Sequence, residues 1–267
     1  MSETLLVASD VCRHFGGLKA VDGVSLALER GALHAVIGTN GAGKSTLVNV
    51  LSGEIPSTSG RVTLLGADAT RWTQPRRARA GLGRSYQRNT IFPRFTVFEN
   101  CRLAAQARKP RAWDWWTPTS RCTDSRDAAQ RAVERSGLVD VAARPAAELS
   151  HGQRRQLEIA MCLATDPQVL LLDEPLAGMG AEETERMLAL LAQLKDGHAV
   201  LLIEHDMDAV FRVADRITVM VNGRVIASDT PAAVRANPDV QVAYLGEAHD
   251  ETAAGPAMRP APGGSVP

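Results

Sequence analysis

Short apolar runs recur along the chain, each about as long as a strand. In order they read LLVAS, VSLAL, LHAVIG, RVTLLG, VLLLD, AVLLIE and ITVMVNG. Apolar runs of about four to eight residues are typical of strands, and continuous ones are typical of strands that are covered on both faces. The hydrophobic pattern therefore predicts several strands, some of them fully buried.

Two of these runs lead into helical patterns. After LHAVIG and a glycine-rich turn, Leu47, Val50 and Leu51 fall on one face of a helix. After VLLLD the apolar positions recur at i, i+3, i+4 and i+7, as Met187, Leu190, Leu191 and Leu194. This alternation predicts an α/β fold, with a largely parallel sheet and helices on both of its faces.

Two segments depart from this alternation. Residues 89–164 are rich in helical patterns and turns without clear strands, which predicts a helical lobe inserted into one domain that spans residues 1–248. We expect the WDWW run in this lobe (Trp113, Trp115 and Trp116) to pack against it; contact with a partner at the membrane surface is the alternative. The Pro/Gly/Ala-rich end of the chain, residues 249–267, contains too little apolar surface to fold and is predicted to be a disordered tail.

Composition narrows the class of protein. The chain is 45% hydrophobic and 22% charged, and 30 basic residues balance 30 acidic ones, so charge does not indicate a nucleic-acid partner. No apolar run approaches the roughly 18 residues of a membrane span, and the first residues lack the pattern of a secretory signal. The four cysteines are scattered, which favours free thiols in a reducing compartment. We therefore expect a soluble cytosolic protein.

A basic stretch follows the fourth apolar run. It contains no interleaved aromatic residues, so a solvated helix face is the predicted role for its arginines, and a protein partner is the alternative. They are Arg71, Arg76, Arg77, Arg79, Arg84 and Arg88.

The glycine-rich turn after LHAVIG matches the P-loop pattern. Its residues are Gly38, Thr39, Asn40, Gly41, Ala42, Gly43, Lys44, Ser45 and Thr46. Glycines allow successive backbone N–H groups to turn inward around phosphates. Lys44 can then reach the β- and γ-phosphates, and the Ser45 hydroxyl can bind Mg²⁺. Because a strand precedes the motif and a helix follows it, nucleoside triphosphate binding is favoured over a purely structural turn.

Polar residues end two of the predicted strands. VLLLD ends in Asp173, which can hold Mg²⁺ through water, and the adjacent Glu174 can orient and deprotonate the attacking water. An exposed acidic turn is the alternative. His205 follows the AVLLI strand at the same predicted sheet edge, where it can donate a hydrogen bond to a γ-phosphate.

The segment LSHGQ contains a helix start. Ser150 and Gln153 have the spacing of a capping box, and apolar residues from Leu157 onward follow the helical period. Helix N-termini also attract anions, because unpaired N–H groups and the macrodipole act in the same direction. The segment alone predicts either a self-capped helix or a phosphate site.

Together these motifs resemble one family, the ATP-binding cassette (ABC) ATPases. The resemblance covers nearly all of residues 5–247 and includes six motifs in the order of the family. The motifs are the P-loop at 38–46, the Q-loop residue Gln87, the signature LSHGQ at 149–153, the Walker B strand ending at Glu174, the D-loop at 176–180 and the switch histidine His205. Phe15 lies 29 positions before Lys44, where the family has an aromatic that stacks on adenine; a core aromatic is the alternative.

The resemblance implies a fold and a set of site residues. The fold is a RecA-like P-loop NTPase core with an antiparallel β subdomain and an inserted helical lobe. ATP and Mg²⁺ are the implied cofactors, with Ser45, Gln87 and Asp173 as the metal ligands. Glu174, His205 and Gln87 are the implied catalytic residues. Signature residues face the ATP that is bound to the P-loop of the other subunit, and here they are Ser150, His151, Gly152 and Gln153.

The signature and the D-loop each depart from the family. His151 replaces a glycine, and Gly180 stands where many members have an aspartate, which leaves communication between the two ATP sites undefined. For Ser150 we expect a switch, in which it caps its own helix without nucleotide and turns to phosphate when the dimer closes.

The resemblance also implies a task and partners. A single cassette requires two membrane-spanning permease subunits and a second ABC ATPase subunit. The pair is expected to be a heterodimer, although a homodimer is possible. A periplasmic solute-binding protein takes part indirectly, and no nucleic acid is expected. The chain is then peripheral, at the cytoplasmic face of the inner membrane.

Segments such as FGGLKAVDGVSL and DEPLAGMG are most similar to the group that imports branched-chain and hydrophobic amino acids. The alternatives are urea or amide uptake, lipopolysaccharide export, a soluble ABC ATPase outside transport and a P-loop metabolic kinase.

Overall fold

The computed structural model describes residues 3–85, 91–107 and 123–243. Four of the sequence predictions concern residues outside these ranges. They are the Q-loop residue Gln87, Arg88 of the basic stretch, the WDWW run and the tail at 249–267.

The described residues form ten strands and eight α-helices. The strands are β1 (Thr4–Phe15), β2 (Leu18–Glu29), β3 (Leu33–Gly38), β4 (Ser59–Leu64), β5 (Ala67–Asp68), β6 (Leu82–Arg84), β7 (Val169–Asp173), β8 (Ala199–Ile203), β9 (Arg216–Val221) and β10 (Arg224–Asp229). The helices are α1 (Lys44–Ser52), α2 (Gln74–Ala80), α3 (Val97–Ala107), α4 (Thr123–Arg135), α5 (His151–Ala164), α6 (Ala181–Leu194), α7 (Met207–Val213) and α8 (Pro231–Ala236). Each of the seven apolar runs falls on a strand, as predicted.

The strands form two sheets. The larger sheet has the order β10-β9-β3-β8-β7-β6; its neighbours from β9 to β6 are parallel, and β10 pairs antiparallel with β9. The smaller sheet, β2-β1-β4-β5, is antiparallel. The predicted α/β fold with an antiparallel subdomain is confirmed. The sequence pattern did not reveal the short strands β5 and β6 or the edge strand β10.

The register of the large sheet brings three strand ends to one level. Val36 of β3 and Asp173 of β7 both pair with Ile203 of β8, which lies between these two strands. Because the three strands are parallel, the residues after each of them emerge at the same edge of the sheet. Ligands of open α/β sheets bind at such carboxyl ends.

Two apolar cores cover the faces of this sheet. Alternate strand residues enter different cores; Ile37 packs with the helices α3–α7, whereas Val36 packs with α1 and the antiparallel sheet. β3, β7 and β8 are consequently buried along their whole length. This burial on both faces accounts for their continuous apolar runs.

The helical lobe lies between β6 and β7 in the chain. Its described residues contain α3, α4 and α5 with 3₁₀ turns at Val139–Val141 and Ala146–Glu148, and α5 packs against α3, α4 and α6. Helix α5, which begins within the signature LSHGQ and is called the signature helix below, is therefore supported by α3 and α4. It also contacts α6, the first helix after the D-loop. None of the helices in the described ranges combines the length and the apolar character that crossing a membrane requires.

The prediction of a solvated arginine face is wrong for two residues. Arg77 is 2% exposed, and its guanidinium donates to the carbonyl oxygens of Val50, Leu51 and Ala69 at 2.6–2.8 Å. Arg84 is largely buried and forms an ion pair with Glu54 at 2.6 Å. Burial lowers the pKa of Arg77 to about 10, so the side chain stays charged at neutral pH. Arg77 thus binds the carbonyl-rich end of α1, which begins at the P-loop, and Arg84 donates to the side chains of Ser52 and Asn49 in the same helix.

Arg77→Ala is expected to lower the free energy of unfolding by about 2–4 kcal/mol, because three buried carbonyl groups lose a charged donor. The measurement is the urea midpoint of the purified chain. Arg79→Ala is the matched control, since Arg79 is exposed on the same helix. Equal midpoints for the two variants would show that water or a neighbouring side chain replaces the Arg77 guanidinium.

Candidate functional site

The P-loop passes too close to other backbone segments to carry side chains at two of its glycines. A Cβ on Gly38 would overlap the carbonyl oxygen of Met220, and one on Gly43 would overlap that of Ala20. Gly43 also has φ +98°, in the left-handed region that favours glycine. The loop is therefore held between β9 and β2, and its conformation depends on these glycines.

Lys44 holds the loop from inside. Its Nζ donates to the carbonyl oxygens of Gly38 at 2.6 Å and Thr39 at 2.9 Å, and the residue is 7% exposed. Helix α1 begins at Lys44 with no side-chain cap at Gly43 and no acidic residue in its first turn. Asn40, Gly41 and Ser45 are exposed, whereas Thr39, Gly43 and Thr46 are half-buried and Ala42 is buried. This helix start offers positive charge and backbone donors to an anion.

Asp173 is a buried carboxylate at the end of β7. It is 3% exposed, its Oδ2 lies 3.9 Å from Arg84 Nη2, and its Oδ1 accepts no hydrogen bond within the described part of the chain. Burial raises the pKa of Asp173, although the charges of Arg84 and Lys44 oppose this effect. A buried carboxylate oxygen without a partner is costly, and a hard cation is the kind of ligand that satisfies it.

Glu174 follows in an unusual backbone conformation. Its φ is +50°, a region that costs a non-glycine residue about 1–2 kcal/mol. The conformation is supported by a hydrogen bond from its N–H to the Ile203 carbonyl oxygen at 2.9 Å. Asp173 pairs with Ile203, so the carboxylates of Asp173, Glu174 and Glu204 follow one another at this sheet edge. Burial raises the pKa of Asp173 and of Glu204, and the Glu174 charge adds to this effect in both.

Glu204 lies at this sheet edge, and the sequence interpretation did not assign it to the site. It is fully buried, its Oε1 accepts from the Leu176 N–H at 2.8 Å, and its Oε2 accepts from the His205 N–H at 3.2 Å. The His205 ring extends into solvent, with its side chain 62% exposed. Glu204 thus ties the start of the D-loop to the switch histidine. A carboxylate directly after the apolar run AVLLI was the signal available in the sequence.

Phe15 lies at the end of β1 and is 46% exposed. The guanidinium of Arg13 stacks over its ring at 4.4 Å. The alternative interpretation of Phe15 as a core aromatic is therefore wrong. An exposed ring at the end of a strand is available for stacking on a planar ligand.

The predicted capping box of α5 is confirmed. The Gln153 N–H donates to Ser150 Oγ at 3.2 Å, and the Ser150 N–H donates to Gln153 Oε1 at 3.1 Å. A carboxylate, which the sequence did not reveal, also binds here. Glu183 Oε1 accepts from the Ser150 hydroxyl at 2.8 Å and from the Gly152 N–H at 3.1 Å. The N-terminus of the signature helix therefore binds an anion of its own chain.

His151 and Gly180, the two departures from the family, lie on segments that contact each other. A Cβ on Gly178 of the D-loop would lie 3.4 Å from His151 Cε1, so the imidazole packs beside this loop. A Cβ on Gly152 would lie 2.6 Å from Glu183 Cδ, so a side chain at 152 would require the Glu183 carboxylate to move. His151 thus occupies space next to the D-loop, and the glycine that permits close approach is retained at 152.

Comparisons with known proteins place this geometry among cassettes. Residues 21–177 match the family described as ABC transporter, and residues 224–250 match that described as branched-chain amino acid ATP-binding cassette transporter. The chain is 41% identical over 256 residues to the high-affinity branched-chain amino acid transport ATP-binding protein LivG of Salmonella typhimurium, which covers 93% of this chain and 100% of the relative. It is also 41% identical over 257 residues to BraF of Pseudomonas aeruginosa, a protein of the same description, with the same coverage.

Solved structures give the same result. The ADP conformation of MJ1267, an ATP-binding cassette of an ABC transporter, has a TM-score of 0.82 at 30% identity and covers 92% of this chain and 100% of that one. A nucleotide-free cassette from an ABC transporter has a TM-score of 0.80 at 30% identity, with 91% and 99% covered.

Proposed function

We propose, since this chain belongs to the ABC transporter ATP-binding subunits, that it hydrolyses ATP at a dimer interface to drive import of branched-chain or other hydrophobic amino acids through membrane subunits. The observation that carries the chemistry is one edge of the large sheet, where the P-loop, Asp173, Glu174 and His205 follow three adjacent parallel strands. The amino-acid substrate is supported by the relatives LivG and BraF and by the C-terminal family match.

In this proposal residues 38–46 bind the phosphates. Lys44 exchanges the carbonyl oxygens of Gly38 and Thr39 for the β- and γ-phosphates, and backbone N–H groups of the loop donate to the remaining oxygens. The exposed ring of Phe15 stacks on adenine.

The residues present fit Mg²⁺. Asp173 has a carboxylate oxygen without a partner among the described residues, and the Ser45 hydroxyl is a second oxygen ligand of the type that Mg²⁺ binds. Gln87 is the third proposed ligand and lies outside the described residues. When bound, Mg²⁺ neutralises charge on the β- and γ-phosphate oxygens. The fit supports assigning Ser45 and Asp173 to the metal, and Gln87 is assigned from the family resemblance alone.

Glu174 is the proposed general base, with His205 and Gln87 as its catalytic partners. The Glu174 carboxylate takes a proton from the attacking water, and His205 donates a hydrogen bond to the γ-phosphate. Glu204 is a positioning residue in this scheme, because it holds the backbone N–H groups of Leu176 and His205.

The signature completes the site across a dimer. Ser150, His151, Gly152 and Gln153 contact the γ-phosphate that the P-loop of the other subunit binds, so each site needs both subunits. Residues 1–248 act as one ATPase domain whose helical lobe, about 89–164, passes the movement to two permease subunits. We assign the chain to the cytoplasmic face of the inner membrane, with a different ABC ATPase as its partner and a periplasmic solute-binding protein on the opposite side.

The test is ATP hydrolysis by the chain assembled with its membrane partners in lipid. The solute-binding protein is supplied after loading with leucine, valine, an aromatic amino acid or urea. Stimulation by leucine or valine is the expected result. Stimulation by another solute would assign a different substrate and leave the proposed ATPase mechanism unchanged. Hydrolysis that no loaded binding protein stimulates would contradict import and favour an exporter.

A further inference from the structure

The feature of interest is the carboxylate of Glu183 at the start of the signature helix. Glu183 belongs to the first turn of α6, yet its Oε1 accepts from the Ser150 hydroxyl at 2.8 Å and from the Gly152 N–H at 3.1 Å. Ser150 lies 33 positions earlier in the chain. The contact is therefore a tertiary one that the fold creates between the signature and the segment after the D-loop.

The site binds this carboxylate as a negatively charged group. The Ser150 hydroxyl and the Gly152 N–H lower the pKa of Glu183, so the ionised form is the one that is bound. The macrodipole of α5 acts in the same direction. Ser150 still accepts the Gln153 N–H, so Glu183 adds to the capping box without replacing it.

A phosphate from the other subunit requires the same donors. The proposed function assigns the Ser150 hydroxyl and the Gly152 N–H to the γ-phosphate. Each donates one hydrogen, and both hydrogens are directed at Glu183 Oε1. A second anion cannot share them, because the donors are already used and like charges repel at this distance. The carboxylate must leave before the phosphate binds.

We propose that Glu183 is an internal competitor for the γ-phosphate at the signature, and that it sets the ATP concentration at which the dimer closes. This inference rests on the proposed contact between the signature and the nucleotide of the other subunit. Glu183 stabilises the open state by its own binding free energy to α5. ATP drives closure only to the extent that the binding free energy of its γ-phosphate at the signature exceeds that of Glu183.

Displacement of Glu183 also gives the signature a route to the D-loop. Glu183 lies three positions after Gly180, the N-cap of α6, and it releases the start of α6 from α5 when it leaves.

The test uses Glu183→Gln in the transporter assembled in lipid. Gln keeps the size of the side chain and loses its charge. We expect KM for ATP to fall by about fivefold or more, the lower end of coupling between linked sites. ATP affinity of the isolated full chain should stay unchanged, since its P-loop is untouched. Glu182→Gln is the matched control, because Glu182 is exposed in the same turn and pairs with Arg186.

Two further outcomes separate this inference from the proposed function. Ser150→Ala is expected to raise KM for ATP or to lower kcat; no effect of Ser150→Ala would reject the signature contact itself. An effect of Ser150→Ala together with an unchanged or raised KM in Glu183→Gln would reject competition, and Glu183 would be only a tie between two helices. Thermal unfolding of each variant shows whether a change in KM reflects lost structure.

Discussion

Replacing Glu174 with Gln is expected to slow ATP hydrolysis by roughly 100- to 10,000-fold, the usual contribution of a general base. The substitution removes the group that accepts the proton and leaves the phosphate site intact. Gln has nearly the same shape, and the backbone bond from residue 174 to the Ile203 carbonyl oxygen does not depend on the side chain. ATP binding should therefore persist, and the closed dimer should accumulate because it opens only after hydrolysis.

Single-turnover hydrolysis and equilibrium binding of ATP measure the two halves of this prediction. Glu185→Gln is the matched control, because Glu185 is an exposed carboxylate on α6 that pairs with Arg212 and has no proposed catalytic role. Near wild-type turnover in Glu174→Gln would assign the proton to another acceptor. The buried Glu204, whose pKa burial raises, would then be the next carboxylate to test.

Replacing Lys44 with Ala is expected to weaken ATP binding by about 1.5–3 kcal/mol, or roughly 10- to 150-fold, the usual range for hydrogen bonds to charged groups. Two effects contribute. The β- and γ-phosphates lose a cation, and the P-loop loses the Nζ that joins the carbonyl oxygens of Gly38 and Thr39. The loop then has to be ordered by the nucleotide itself, which costs binding free energy.

Titration calorimetry with ATP and with ADP separates these two effects. A lost phosphate contact weakens ATP more than ADP, whereas a disordered loop weakens both to a similar degree. Lys195→Ala is the control, since Lys195 pairs with Asp215 and has no proposed role at the site. Unaltered ATP affinity in Lys44→Ala would remove this lysine from the phosphate site.

The LSHGQ segment alone predicted either a self-capped helix or a phosphate site. Its helix start is self-capped and anion-binding at once, because Ser150 accepts from Gln153 and donates to Glu183. The predicted capping box is present. The turn of Ser150 toward phosphate stays a prediction, now with a named group that must first move away.

The sequence by itself determined the features that depend on residues close together in the chain. The P-loop and the capping box each require fixed spacings within one or two turns. The buried strands show as apolar runs, because a strand that is covered on both faces needs apolar side chains at every position. Local pattern was sufficient to predict these features, because the residues that define each of them lie close together in the chain.

Only the tertiary structure decided the contacts between distant segments. Arg77 belongs to an apparently solvated basic stretch, yet it binds the end of α1. The sequence does not show which backbone groups Glu204 binds, but its position at the end of β8 lets its carboxylate accept from the Leu176 N–H of the D-loop. Glu183 and Glu182 are neighbours of the same type, and only the packing of α6 against α5 gives one of them the signature donors. Charged side chains carry no periodicity that encodes their partner, so their roles depend on which backbone groups the fold brings within hydrogen-bonding distance.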